Sequence, residues 1–536
     1  MLLDNEIISP VSLSINPYTG PWGQEEAAHL LRRTLFGPTF QQIQDTVSLG
    51  MTNAVDQLLN MMVTDPPLTY SPDEEIASFG QTWVNSVYPA NPAISENVRQ
   101  SSLAAWIMER LNKREFSIQE KICLFWQNHF AATGTFDSRA TFNYHEVIRL
   151  NALGNFKQMV KDISVDPCML VFLSGATNNQ FNPNENFARE LLELYTIGKG
   201  PQIGTGDYTN YTEYDIQEAA KIMTGWTIQG FLSQTDSTTY AEFVPLLHDA
   251  TSKTLSSHFN SAVIAENGAS EYADLIDVIF QQPEVAHFIC KKIYRWFVNY
   301  DLTQIVEDTI VAELATTMIS NNYEVLPVLS QLLKSEHFYD VALRGTIIKN
   351  PYEHMFSILN STISSPQYAF NENYELYILA YYAAGALGMN YGNPPSVGGW
   401  TAYYQEPSFS RLWANSAYIK LRFDISDYVS LLGGFNSNGN TWGVNHLEFL
   451  DNLSNPSSAP DVIDDIALIF CPKGLDATKK LTLKLILTNG LPDFEWTIQY
   501  NDYASDPSNA VVSDPVKYRV ALTLSQLFKM PEFQAI

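Results

Sequence analysis

The stretch from Asn182 to Trp226, NPNENFARELLELYTIGKGPQIGTGDYTNYTEYDIQEAAKIMTGW, constrains the fold more than any other part of the chain. Its first half reads as a helix with both ends marked. Asn182 is placed to cap it, Pro183 suits the first helical position, and Glu185 stands three residues after the cap. Phe187, Leu191 and Leu194 recur at i, i+4 and i+7 and define one apolar face. Arg189 lies four residues from both Glu185 and Glu193 and has helical reach to either. Gly198 ends the helix. After a Gly-rich, aromatic loop, Thr212 caps a second helix with Asp215 in its first turn. Ile216, Ala219, Ala220 and Met223 supply its inner face. A helix, a long loop and a second helix are therefore expected, with the Arg189 helix as an interior strut.

The same period-3.6 pattern runs through most of the chain. Helices are expected over 24–35, 39–49, 52–62, 97–113, 141–153, 156–163, 271–281, 283–300, 305–321, 327–335, 351–363, 374–387, 411–432, 459–470, 477–488 and 517–529. Ser117 and Glu120 read as a capping box for a helix whose stripe is Ile118, Ile122, Phe125 and His129. The segment 227–259 is polar and β-branched and reads as a long loop or small hairpin laid over the helices. The expectation is an all-α protein, a large multi-helix domain with long polar loops and at most a minor β-hairpin. An N-terminal arm covers 1–20 and the main helical domain 21–432. A polar linker or insertion covers 433–460, and C-terminal helices packed on the main domain cover 461–536. LSQLLKSEHF at 329–338 and LSQLFKMPEF at 524–533 form an internal echo, most simply a reused helix ending, with two related helical halves as the alternative.

Several motifs occur in a fixed order: AAHLLRRTLFGPT at 27–39, LFWQNHF at 124–130, NENFARELLELYTIG at 184–198, YTEYDIQEAAKIMTGW at 211–226, HDATSKTL at 248–255, NPPSVGGW at 393–400 and MPEFQ at 530–534. Together they resemble the bacterial family called domain of unknown function 1800, from about residue 20 to the C-terminus. The resemblance implies a mostly helical fold. It also implies a frequent neighbour resembling the alkaline phosphatase and sulfatase group, but no established activity. The chain departs from the family pattern at Gln127, where a histidine is usual, and at Gly398, where a lysine is expected.

Composition removes some functions. With 31 basic against 58 acidic residues the formal charge is −27, which opposes general nucleic-acid binding and charge-driven adhesion to anionic membranes. No run approaches the roughly 18 apolar residues of a membrane span. The four cysteines form no CxxC pair, and Cys123 and Cys290 sit in apolar helical patterns. The opening MLLDNEIISPVSLS has neither a basic start nor a long apolar run, so the expectation is no cleavable leader in this chain and cytoplasmic residence by default. Export alongside a partner is the alternative.

Four groups of residues merit a chemical reading. Glu185, Glu190 and Glu193 share one helix and offer acid and base roles; the alternative is an ion network with Arg189. His248 and Asp249 with Lys253 offer a base and an anion contact, or a loop pinned by side-chain hydrogen bonds. Lys291 and Arg295, with Arg32 and Arg33 as further cations, offer an anion site or internal ion pairs. His129, on an apolar stripe, reads as a hydrogen-bonded core histidine or a site residue. The two ExxH patterns, Glu26–His29 and Glu284–His287, are no more than chance supplies, so no metal site is assigned and no cofactor is named. The leading expectation is a helical partner or scaffold beside a sulfatase-like protein, in an envelope or polysaccharide context. The alternative is a hydrolase or metal-assisted enzyme with its site near Glu190, His129 and His248.

Overall fold

A computed structural model describes residues 11–134 and 137–536. Among these the chain is 56% helical. The strands amount to four two-stranded antiparallel hairpins, where the sequence pointed to a minor one. Two of them, Trp226–Gln229 with Tyr240–Phe243 and Lys253–Thr254 with Val263–Ile264, fill the polar segment after Trp226.

Apolar periodicity places most helices as expected, and their ends follow local capping chemistry; the one expected over 411–432 starts only at Tyr418, after a 3-10 turn at Phe409–Ala414, and Pro167–Phe172 and His446–Asp451 are helices where a loop and a linker were expected. Thr39 closes a capping box on Phe40–Leu49, and Thr212 does the same for Glu213–Ile222 through Asp215. Asp137 caps Ser138–Asn151 three residues earlier than the apolar pattern alone placed its start. Two capping expectations need correction. The helix Glu185–Glu190 is capped by Asn184, because its side chain reaches the backbone of Asn186. Glu120 does not complete a box with Ser117: its carboxylate is held by Arg149 at 2.7 Å. The helix Asp493–Ser505 was not expected, and the last helix begins at Ala510, with Pro515 in its second turn.

One continuous apolar core runs from Ile15 to Phe533. Ala93–Asn112 lies along Phe370–Ala386, and Pro283–Phe297 along Ala312–Ser320. Ala510–Phe528 gathers Tyr418–Ser430, His446–Asp451, Ala477–Leu487 and Asp493–Ser505, while Ala459–Phe470 packs back on Gln24–Thr34. The polar segment 433–460 contributes Phe435, Trp442, Phe449 and Leu450 to this core. Residues 11–20 of the N-terminal arm run beside 334–337, with Tyr18 N bonded to Lys334 O at 2.7 Å. The opening residues on which the leader expectation rests lie outside the described residues. Both copies of the internal echo end on a buried phenylalanine against a histidine: Phe338 on His29 and Phe533 on His354. Among the described residues no helix is long and apolar enough to cross a membrane.

Candidate functional site

Three consecutive residues of the LFWQNHF motif, at the end of the helix Gln119–His129, tie three other elements together. Gln127 Nε2 donates to His145 Nδ1 at 2.5 Å, reaching the helix Ser138–Asn151. Asn128 Oδ1 accepts from Trp400 N at 2.9 Å, reaching the end of the NPPSVGGW turn. The preceding Gly399, at φ +88°, presses so close that an added Cβ would lie 2.5 Å from the Asn128 carbonyl. His129 Nε2 donates to Tyr195 O at 3.1 Å, reaching the signature helix.

That contact exists because the signature helix changes pitch. After Glu185–Glu190 the chain continues as a π-helix, Leu191–Thr196, with Ile197 N bonded to Leu192 O at 3.2 Å. The wider turn leaves carbonyls that side chains from elsewhere take up. Lys292 Nζ donates to Leu194 O at 3.0 Å and to His129 Nδ1 at 3.1 Å. Asn210 Nδ2 donates to Gly198 O at 3.0 Å. Burial lowers His129 well below the usual imidazole range, and Lys292 reinforces this. Burial, with Arg295 adding to it, brings the Lys292 ammonium down to about 7. His129 is 3% exposed and acts as a doubly bonded neutral ring inside the core.

The carboxylates on the signature helix have divided loyalties. Arg189 pairs with Glu213 at 2.7 Å and Glu185 at 3.2 Å. Its hydrogen bond to Glu213 raises the guanidinium and lowers that carboxyl. Glu193 is instead bonded by Tyr211 Oη at 3.1 Å and faces Lys199 at 3.5 Å. The cluster is half-exposed, with Arg189 at 32%, so it is a surface lattice rather than a buried network. The strut itself is interior along its other face, where Phe187, Ala188, Leu191, Leu192 and Tyr195 are buried. Glu190 is half-buried and its carboxyl is raised by burial, then by Glu193.

His248 and Lys253 meet on a residue that no motif indicated. Glu271, fully buried, accepts from His248 Nε2 at 2.9 Å and Lys253 Nζ at 2.7 Å, and from Asn267 N at 3.0 Å. His248 Nδ1 faces Thr224, while Asp249 turns its carboxylate to Thr251 and stands 4.0 Å from Lys253. Lys291 pairs with Glu307 at 2.5 Å, and Arg295 approaches Glu406 at 3.5 Å and Phe409. Arg32 and Arg33 donate to the carbonyls of Leu468 and Leu343. His129 and His248 thus belong to separate knots with no shared partner, and neither lines the main cavity. Among the described residues, no group of three His, Cys, Asp or Glu stands close enough to hold a metal ion.

That main cavity is an open cleft of about 290 Å3 between Ala93–Asn112, Ser138–Asn151 and the turn at 391–393. Buried Leu103, Ile107 and Ala132 line it together with Gln100, Thr141, Tyr381 and Asn393. Thr133 donates to Asn393 across it. His145 stands at the back, bonded to Gln127 behind and facing Gly392 in front. Of the named lining residues only Asn393 belongs to a sequence motif, NPPSVGGW; the others come from segments that only the fold brings together. Behind the wall, Asp166 caps Pro167–Phe172 and is raised to about 7 by burial.

A family model described as "Protein of unknown function (DUF1800)" matches residues 29–535. No curated protein and no solved structure matches the chain.

Proposed function

We propose a binding and scaffolding role for this chain, which belongs to the DUF1800 family of proteins of unknown function. In this reading it acts beside a sulfatase-like or alkaline-phosphatase-like partner in an envelope or polysaccharide context. The observation that carries it is the fate of the motif residues. His129, Arg189, His248 and Lys253 are each held by partners within the chain. Residues so engaged fix the mutual placement of helices, which a scaffold needs, and His129 and His248 have both ring nitrogens taken up inside the chain, which leaves neither free for a substrate proton. The partner's identity rests on family analogy.

Affinity capture of the tagged chain from its own organism, with cross-linking and mass spectrometry, tests this. Enrichment of a sulfatase-like protein is expected. Recovery of the chain alone, or with unrelated proteins only, overturns the reading. The enzyme reading retains one favourable observation, the raised carboxyl of Glu190. It predicts a hydrolytic activity that is lost in Glu190→Gln.

A further inference from the structure

We infer that the cleft beside His145 is a binding site for one ring of an uncharged saccharide. The first argument is charge. The chain is 17% Asp, Glu, Lys and Arg, yet among the described residues none of these lines the cleft. Of the carboxyls behind the wall, Glu96 is occupied by Tyr88, Ser138 and Gln100, and Asp166 by the backbone of Cys168 that it caps. His145 is kept neutral, because burial lowers it to about 3. A charged ligand would shed its hydration here and meet no counter-ion.

The second argument is the pattern of groups. The Gln100 and Asn393 amides each carry donor and acceptor groups, and the Thr141 hydroxyl, whose proton goes to Asp137 O at 3.2 Å, adds an acceptor, as hydroxyl-bearing ligands require. The Gln127 amide fills the lone pair on His145 Nδ1, so the ring proton sits on Nε2, on the Gly392 side. Tyr381, half-buried, adds a flat aromatic edge with its hydroxyl turned to Tyr391 O at 3.3 Å. A lining that mixes polar groups with buried apolar side chains matches a sugar ring, which has hydroxyls at its rim and C–H groups on its faces. At about 290 Å3 the volume lies at the lower end for small-molecule sites and suits one ring better than a chain of them.

The test is calorimetric titration of the whole chain, which needs no partner and so fails or succeeds apart from the scaffold reading. The panel is glucose, galactose, mannose, N-acetylglucosamine and their β-linked dimers, with glucuronate, glucosamine and adenosine as contrasts. At least one neutral sugar is expected to bind, with an affinity indifferent to salt because no ion pair is made. Ala104→Trp, at the half-buried helix surface beside the cleft, is expected to weaken it at least about tenfold. Tyr381→Leu, a smaller change checked by its melting curve, is expected to weaken it severalfold. The inference is overturned if no neutral sugar binds, if a charged sugar or adenosine binds more tightly, or if folded Ala104→Trp binds as the parent does.

Discussion

Glu271→Gln isolates what the HDATSKTL segment does. The substitution keeps the side chain's shape and removes its charge. Lys253 is then left fully buried, with the Asp249 carbonyl and a carboxylate 4.0 Å away as its remaining acceptors. His248 loses an ionised partner at 2.9 Å. The new amide cannot accept at both oxygen positions: if its oxygen keeps Asn267 N, its NH2 group points at the ammonium. Removing one member of a buried ion pair costs about 3–5 kcal/mol. The residual attraction of Asp249 argues for the lower end, about 3 kcal/mol. Unfolding entropy is about 2.1 cal/mol/K per residue, so over 536 residues a loss of this size lowers Tm by about 3 °C if the chain melts as one unit. Calorimetry measures that shift, and amide hydrogen exchange reads the same loss locally around Thr224 and 248–271. Lys253→Met in the Glu271→Gln background is expected to recover part of the stability, because it removes the stranded cation. Unchanged melting and exchange in Glu271→Gln would refute the reasoning, and retention of fold with loss of a measured activity would return these residues to chemistry.

Three further outcomes are expected. Burial raises Asp166 to about 7 from an unfolded value of about 3.9, so the native state holds a proton that the unfolded chain releases between them. Its contribution is present below about pH 4, declines as pH rises to about 7, and is absent above; Asp166→Asn, which keeps the cap, should abolish that decline, by at most about 4 kcal/mol, in urea melts taken across this window. Gly399→Ala, placing a Cβ against the Asn128 carbonyl at positive φ, should destabilise by about 2 kcal/mol or more in the same assay. Arg189→Met should change stability by less than about 1 kcal/mol, since its pairs are a third exposed.

Helix positions were legible because an apolar stripe every three or four residues is a local signal with a single economical use. Thr212 and Asp215 declared their cap within four residues, and His129 declared itself a core histidine by its place on the stripe. What was not legible depended on distance along the chain. Arg189 prefers Glu213, on the next helix, to Glu193 on its own, because the pitch changes between them. Glu271 lies 23 residues beyond His248, in a helix whose pattern reads as ordinary amphipathicity. The cleft has no motif of its own: apart from Asn393, at the start of NPPSVGGW, its lining residues are unremarkable individually, and only packing makes them neighbours.

The widened coil at Leu191–Thr196 also has a mechanical meaning. It accommodates a residue that a regular helix of the same rise would exclude, and the surplus is held open by groups from two other helices, Lys292 and His129. Deleting a single residue within it would let the spiral tighten, swing the following loop by about a quarter turn, and strand an amine and an imidazole at once. Tightening therefore needs three bodies to move in concert, which makes this short coil a clasp rather than an irregularity.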